Sequence, residues 1–494
     1  MNVRNSIKNI ISNPQDFFLK NLGVKQTIAK NTFWLGIAEG ITRLLKFFLI
    51  VYIARVLGAT EYGKFTFALA FISLFTAFAD LGISTITTRE IAREKEKEKE
   101  FPSVLSLKLL LSIGTLILIS VGSFIITVDP VIRGMIWILG VYVLINGFSG
   151  IIYSFFQARQ KMEYEAWAKI LQAIAVTGSG FFILYRFPSV QNLSLAYLSA
   201  SLISLLFILL LFHFKIYSLK LRFNKKIWKN MLLMSWPLAL GGMMNSICAN
   251  TDSTMMGYLG QITETGWYGA AQRIAGVAFI PAGLIAASFF PALSKLFSES
   301  KENLQKGWNH FMEMMIFISM PLVIGGVILA PKIINLVYDS SFSPSILAFQ
   351  ILIIGTGIGI LNIPFSHALV VSNQQKKVFW IIFFPALLNI ALNLVLIPKY
   401  SLYGAALSSL VSIFLMLLLF LGFTSKFTKI KPINFKLFST FLIAFISSTL
   451  MYLVISSSDI YNLYIIYPIL IGILSYLLIF IIIKKMLKYF IWKK

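Results

Sequence analysis

Cysteine is nearly absent. The 494 residues hold one, Cys248, so neither an internal disulfide nor a cysteine-cluster metal site can form. Histidine is almost as scarce: His213, His310 and His367 lie far apart and show no metal-ligand spacing. Charged residues make up only 13% of the chain, and acids are outnumbered, 19 Asp and Glu against 43 Lys and Arg. There is no Gly-rich phosphate loop and no nucleophile–histidine constellation, so enzyme readings are weak and no cofactor is expected. Residues 1–30 lack the compact apolar stretch and small-residue cleavage site of a secretory leader, and read as a cytoplasmic lead-in. What fills the chain instead is apolar: 58% hydrophobic residues and a mean hydropathy of +0.82. A soluble core of this size does not need that fraction, so the expected class is an all-α polytopic membrane protein.

A membrane-spanning helix needs about 20 apolar residues. About fourteen runs qualify, near 32–57, 64–88, 103–128, 131–157, 165–186, 193–214, 229–259, 265–295, 309–330, 344–371, 378–398, 401–424, 436–455 and 461–483. Pro237 and Pro281 fall inside two long runs, where kinks or breaks are expected. The connections between runs alternate in charge. One side, which includes both termini, carries 33 of the 43 Lys and Arg, including those of "REKEKEKE" (93–100) and "RQKMEYEAWAK" (159–169). The other side carries five: Lys64, Arg133, Arg186, Lys332 and Lys399. Basic residues concentrate on the cytoplasmic side, so both termini are expected there and the number of spans is even. The net charge of +24 is thus a membrane-orientation signal rather than a nucleic-acid one.

The chain also repeats itself at offsets a little over 200 residues. "VLGATEYGKF" (56–65) returns as "YLGQITETGWYG" (258–269), and "FFQARQKMEYEAW" (155–167) loosely as "LVVSNQQKKVFW" (369–380). "NLSLAYLSASLIS" (192–204) is similar to "KYSLYGAALSSLVS" (399–412). Two six-helix halves in parallel topology are implied, an architecture of transporters with the substrate between the halves. The expected division is a lead-in at 1–30, an N-lobe at 31–216, a C-lobe at 217–425, and two further helices with a basic tail at 426–494. Gly58, Gly63, Gly260 and Gly266 are expected in tight external turns.

Ionised side chains inside spans are expensive and usually functional. Glu39, Arg43 and Lys46 are spaced i, i+4, i+7 and share one face of the first helix. Asp80 forms a polar stripe with Ser73, Thr76, Ser84 and Thr87; Asp252 sits among Asn250, Thr251 and Ser253; Arg273 is mid-span; Asn389 and Asn393 are i, i+4. Each also has a structural reading: an ion pair for Glu39–Arg43, a cap or a pair with a nearby base for Asp80, helix–helix hydrogen bonds for the two asparagines. Arg43, Lys46 and Arg273 outnumber the acids that can pair with them in the central spans. Surplus cations suit an anionic solute, and a diphosphate matches the bidentate fork of arginine.

The stretch "GITRLLKFFLIVYIARVLGATEYGKFTFALAFISLFTAFADLGISTITTREIA" resembles the opening of the polysaccharide-biosynthesis flippases. These belong to the multidrug/oligosaccharidyl-lipid/polysaccharide exporter superfamily. The residues that carry the likeness are Arg43, Leu57-Gly58, Glu61-Tyr62-Gly63 and Asp80-Leu81-Gly82. The resemblance implies fourteen helices in two lobes, and a flippase carrying polyprenyl-diphosphate-linked oligosaccharide units to the external leaflet of the inner membrane by alternating access. Related peptidoglycan-lipid flippases place arginines in their first and eighth helices, which Arg43 and Arg273 match. Substrate-binding candidates are therefore Arg43, Lys46, Arg273 and Glu39. Asp80 and Asp252 are candidates for coupling to Na+ or H+. Association with a glycan polymerase is a further expectation of partner. The rival readings are a cation-coupled multidrug exporter, a peptidoglycan-lipid flippase, and a membrane scaffold for glycan assembly.

Overall fold

The computed structural model describes residues 21–216, 220–428 and 430–492; most of the expected lead-in and the last residues of the basic tail lie outside them. In chain order the helices are α1 (Val24–Asp80), α2 (Ile83–Arg93), α3 (Phe101–Ile126), α4 (Pro130–Ala158), α5 (Met162–Arg186), α6 (Val190–Lys215) and α7 (Lys225–Tyr258). There follow α8 (Ile262–Ala278), α9 (Ile280–Glu299), α10 (Lys301–Val337), α11 (Ser345–Val371), α12 (Gln375–Phe427), α13 (Phe435–Ser456), the short α14 (Ser458–Tyr461) and α15 (Ile466–Trp492). The "KEKEKE" run forms a 3-10 helix, Lys95–Glu100, with no buried residue. Among the described residues, 12 helices are long and apolar enough to cross a membrane. Two of them are interrupted by non-helical backbone, α1 at Gly58 and α12 at Ser401, so fourteen passes result, as the apolar runs predict.

The breaks refine the sequence boundaries. Pro281 does end a helix: α8 and α9 meet at Phe279, and Pro281 stands in the first turn of α9. Pro237 does not, because α7 continues through it. The run 64–88 is divided at Leu81 and Gly82, both left-handed, at φ 46° and 74°. A Cβ on Gly82 would stand 2.7 Å from Leu238 Cβ and 3.1 Å from the Ser235 carbonyl, so only glycine lets this break lie against α7. Of the four glycines expected in turns, Gly58 and Gly260 adopt positive φ, while Gly63 and Gly266 lie inside helices.

The chain falls into two compact units, one up to Asn250 and one from Thr251 on, dividing within α7. The repeat is visible in the backbone of each. In the first unit α4 ends on Gln160 at φ 58°; Lys161 N–H donates to the Phe156 carbonyl (2.9 Å) and Gln160 N–H to Gln157 (3.0 Å). In the second, α11 ends on Asn373 at φ 58°, with Gln374 N–H on Leu369 (2.8 Å) and Asn373 N–H on Val370 (3.0 Å). Both are Schellman closures at matching places in "QARQK" and "VSNQQ".

Most helices are apolar around their whole circumference, so each unit buries one face and leaves another for lipid. In the first unit Phe101, Phe155, Phe156 and Phe212 knit α3, α4 and α6, with ring centroids 4.7–5.8 Å apart. In the second, Phe289 stacks on Phe311 at 4.7 Å and Trp308 meets Phe365 edge-on at 5.0 Å. Phe182, Leu118 and Ile125 are among the many large apolar side chains left exposed.

Candidate functional site

The first cluster is built on α1 and α5. Arg43 Nε donates to Glu39 Oε1 at 2.7 Å, and both side chains are more than half exposed. The i, i+4 spacing alone puts them in reach. Lys46 is half-buried one turn on, and its charge also acts on the Glu39 carboxylate. So does that of Lys169, which belongs to α5. The sequence counts Lys169 with the charges of the cytoplasmic connection, at the start of the run near 165–186. The structure puts it two turns into a helix, because α5 begins at Met162 in the middle of a polar run. Glu165 holds Lys169 Nζ at 2.7 Å and is itself buried, with Gln157 Nε2 donating to its second oxygen at 2.8 Å.

The second cluster is at the break between α1 and α2. Asp80 Oδ1 accepts from Ser84 Oγ at 2.5 Å and from the ammonium of Lys108 on α3. Lys108 is 1% exposed. Of the readings open for Asp80, the pair with a nearby base is the one this geometry displays. Lys108→Met alone should destabilise the protein by about 3 kcal/mol, the low end of the range for breaking a buried pair, since Asp80 remains partly exposed. Adding Asp80→Asn should restore most of that loss. Thermal unfolding of the purified protein in detergent measures both.

The third cluster lies in the second unit, where Asp252 is 3% exposed. Its Oδ1 accepts from Asn389 Nδ2 at 3.1 Å and Asn393 Nδ2 at 2.7 Å. Its Oδ2 accepts from Ser409 Oγ at 2.5 Å and from the Tyr268 hydroxyl. The two asparagines thus form the interhelical hydrogen bonds their spacing suggests, and both end on the same carboxylate. Four neutral donors surround one charge, and no Lys or Arg among the described residues pairs with it. Asn393 Oδ1 is buried without a donor. All four groups donate to Asp252, so the carboxylate is held by amide N–H and hydroxyl O–H groups alone. Among the described residues no group of three His, Cys, Asp or Glu could hold a metal. Tyr268 and Ser409 carry no periodicity that sequence reading could use.

Arg273 is exposed on α8 and makes no hydrogen bond or ion pair among the described residues. Also in the second unit, an apolar cavity of about 620 Å³ opens between α8, α10, α13 and α15. Val277, Pro281, Phe317, Gly325, Met451 and Gly472 help to line it. Its size is that of a ligand pocket, but its wall is almost free of polar groups.

Residues 28–297 match the profile of a family described as polysaccharide biosynthesis protein. The capsular polysaccharide biosynthesis protein CapF of Staphylococcus aureus is 24% identical over 416 residues, covering 81% of this chain and all of that one (100%). A probable low-salt glycan biosynthesis flippase, Agl15 of Haloferax volcanii, is 22% identical over 409 residues, covering 82% and 85%. The fold is similar to that of the lipid II flippase MurJ in an inward closed conformation. The TM-score is 0.77 at 19% identity, over 92% of this chain and 99% of that one.

Proposed function

This chain belongs to the polysaccharide biosynthesis protein family, and we propose that it is a flippase for polyprenyl-diphosphate-linked oligosaccharide repeat units. The observation that carries the reading is the cation cluster around Glu39 on the first helix. Arg43 spends its Nε on Glu39, which orients the guanidinium and leaves both terminal nitrogens to fork onto an oxyanion. Lys46 stands beside it, and Arg273 is the corresponding candidate of the second unit. Glu39 is a positioning residue for Arg43. The apolar cavity beside α13 and α15 suits the polyprenyl chain, which gains nothing from a polar wall. A protein of this kind carries its substrate rather than transforming it. Its place is the cytoplasmic membrane with both termini inside, where the lipid-linked unit is made, and it works by alternating access. Asp252 is the coupling site for Na+ or H+. Delivery to a glycan polymerase on the external side completes the proposal.

Deletion of the gene tests it. The expected outcome is loss of surface glycan, with lipid-linked oligosaccharide accumulating in a form that a membrane-impermeant glycosidase cannot reach until the cells are opened. Unchanged surface glycan together with altered drug tolerance would instead place the protein with the multidrug exporters.

A further inference from the structure

We propose that Lys169 is a further diphosphate-binding cation of the first unit, reading the second phosphate of the headgroup. The inference rests on the diphosphate reading of the Glu39 cluster and adds to it a residue from a different helix.

The placement follows from how α5 lies along α1. Trp34 meets Trp167 at 5.5 Å, Ala38 is buried with Ala166 and Ile170, a Cβ on Gly180 would touch Leu49, and Tyr52 meets Phe181 at 4.6 Å. Residue numbers rise together on the two helices, so they run parallel and their register brings Lys169 level with Glu39. Arg43 and Lys46 follow on the same stripe, one and two turns further along α1. Lys169 thus stands level with Glu39, the carboxylate that Arg43 holds.

The way Lys169 is held also points to a ligand. An i, i+4 pair on a solvated helix face needs nothing else, and contributes little. Here the acid is 3% exposed and its second oxygen is secured by Gln157 on α4, while the lysine is 34% exposed. The Lys169 ammonium also stands 5.8 Å from the centre of the Tyr153 ring. An ammonium has three donors, and Glu165 uses one. The arrangement fixes the position of a cation whose remaining N–H groups stay available. The charges agree: Arg43, Lys46 and Lys169 against Glu39 and Glu165 leave the cluster one positive charge in surplus. A monophosphate can be met by the Arg43 fork alone, whereas a diphosphate spans further and carries more charge, and Lys169 offers it a cation from a second helix.

The test uses the full-length protein in nanodiscs, with farnesyl diphosphate and farnesyl monophosphate as probes. Lys169→Met should weaken diphosphate binding about tenfold or more, the loss of one charge-assisted hydrogen bond, and monophosphate binding far less. Lys169→Arg should retain the preference for diphosphate. Arg43→Ala should weaken both probes. If Lys169→Met leaves the diphosphate affinity unchanged while Arg43→Ala lowers it, Lys169 is no ligand and the transport reading stands. Equal weakening of both probes by Lys169→Met also overturns the assignment, as does loss of the preference in Lys169→Arg should the Met variant fail to fold. Binding of neither probe by the wild type removes the diphosphate reading itself.

Discussion

Arg43→Ala abolishes surface glycan while leaving the protein in the membrane. The expectation rests on what the guanidinium alone supplies. With Nε on Glu39, its terminal nitrogens offer two parallel N–H groups to a phosphate. Each charge-assisted hydrogen bond is worth about 1.5–3 kcal/mol. Arg43 is more than half exposed, which favours the lower end, and two such bonds still amount to about a hundredfold in affinity. Arg43→Lys keeps the charge and loses the fork, so partial export is expected. Surface glycan detected by antibody or lectin in a complemented deletion strain, alongside immunoblots of the membrane fraction, measures both variants. Normal export by Arg43→Ala removes this residue from the substrate site. The fold has little reason to suffer: the pair that is lost is exposed, and pairs of that kind contribute about 0.5 kcal/mol on a helix surface.

That Glu39 and Arg43 pair was legible in the sequence because both ends lie on one helix, where i, i+4 spacing decides proximity. The spans were legible for a similar reason, since an apolar run needs no partner to be recognised. The polar junctions at Gln160 and Asn373 could be matched because the repeat preserves local chemistry, and the backbone closes both helices with the same hydrogen bonds. Asp80 and Lys108 show where such reading stops. Each appears in the sequence as a lone charge in its own span, and only the packing of α3 against the α1–α2 break brings them together. Lys169 was hidden differently. Its helix starts on polar residues, so "RQKMEYEAWAK" has the composition of a connection, although α5 already runs from Met162. The signal available was Glu165 four residues before Lys169, a helical pairing in the first turns of the run near 165–186.

Asp252→Asn separates coupling from folding, and its expected effect on transport is as large as that of Arg43→Ala. The carboxylate accepts four hydrogen bonds, from Asn389, Asn393, Tyr268 and Ser409. An amide in its place still offers an oxygen to the two asparagines, and its NH2 faces two hydroxyls that can turn to accept. The site therefore remains satisfied and the variant should fold and insert as the wild type does. What disappears is the negative charge, and with it the reason for a cation to enter the pocket. If the coupled ion is Na+, the amide loses the ligand that balances its charge; if it is H+, the amide imitates a permanently protonated acid. Both cases predict the same result in proteoliposomes carrying a short polyprenyl-diphosphate oligosaccharide. Transport by the wild type rises with an imposed Na+ or pH gradient, and transport by Asp252→Asn does not respond to either. A variant that still follows the gradient would return Asp252 to a purely structural role, holding α7, α8 and α12 together through its four hydrogen bonds.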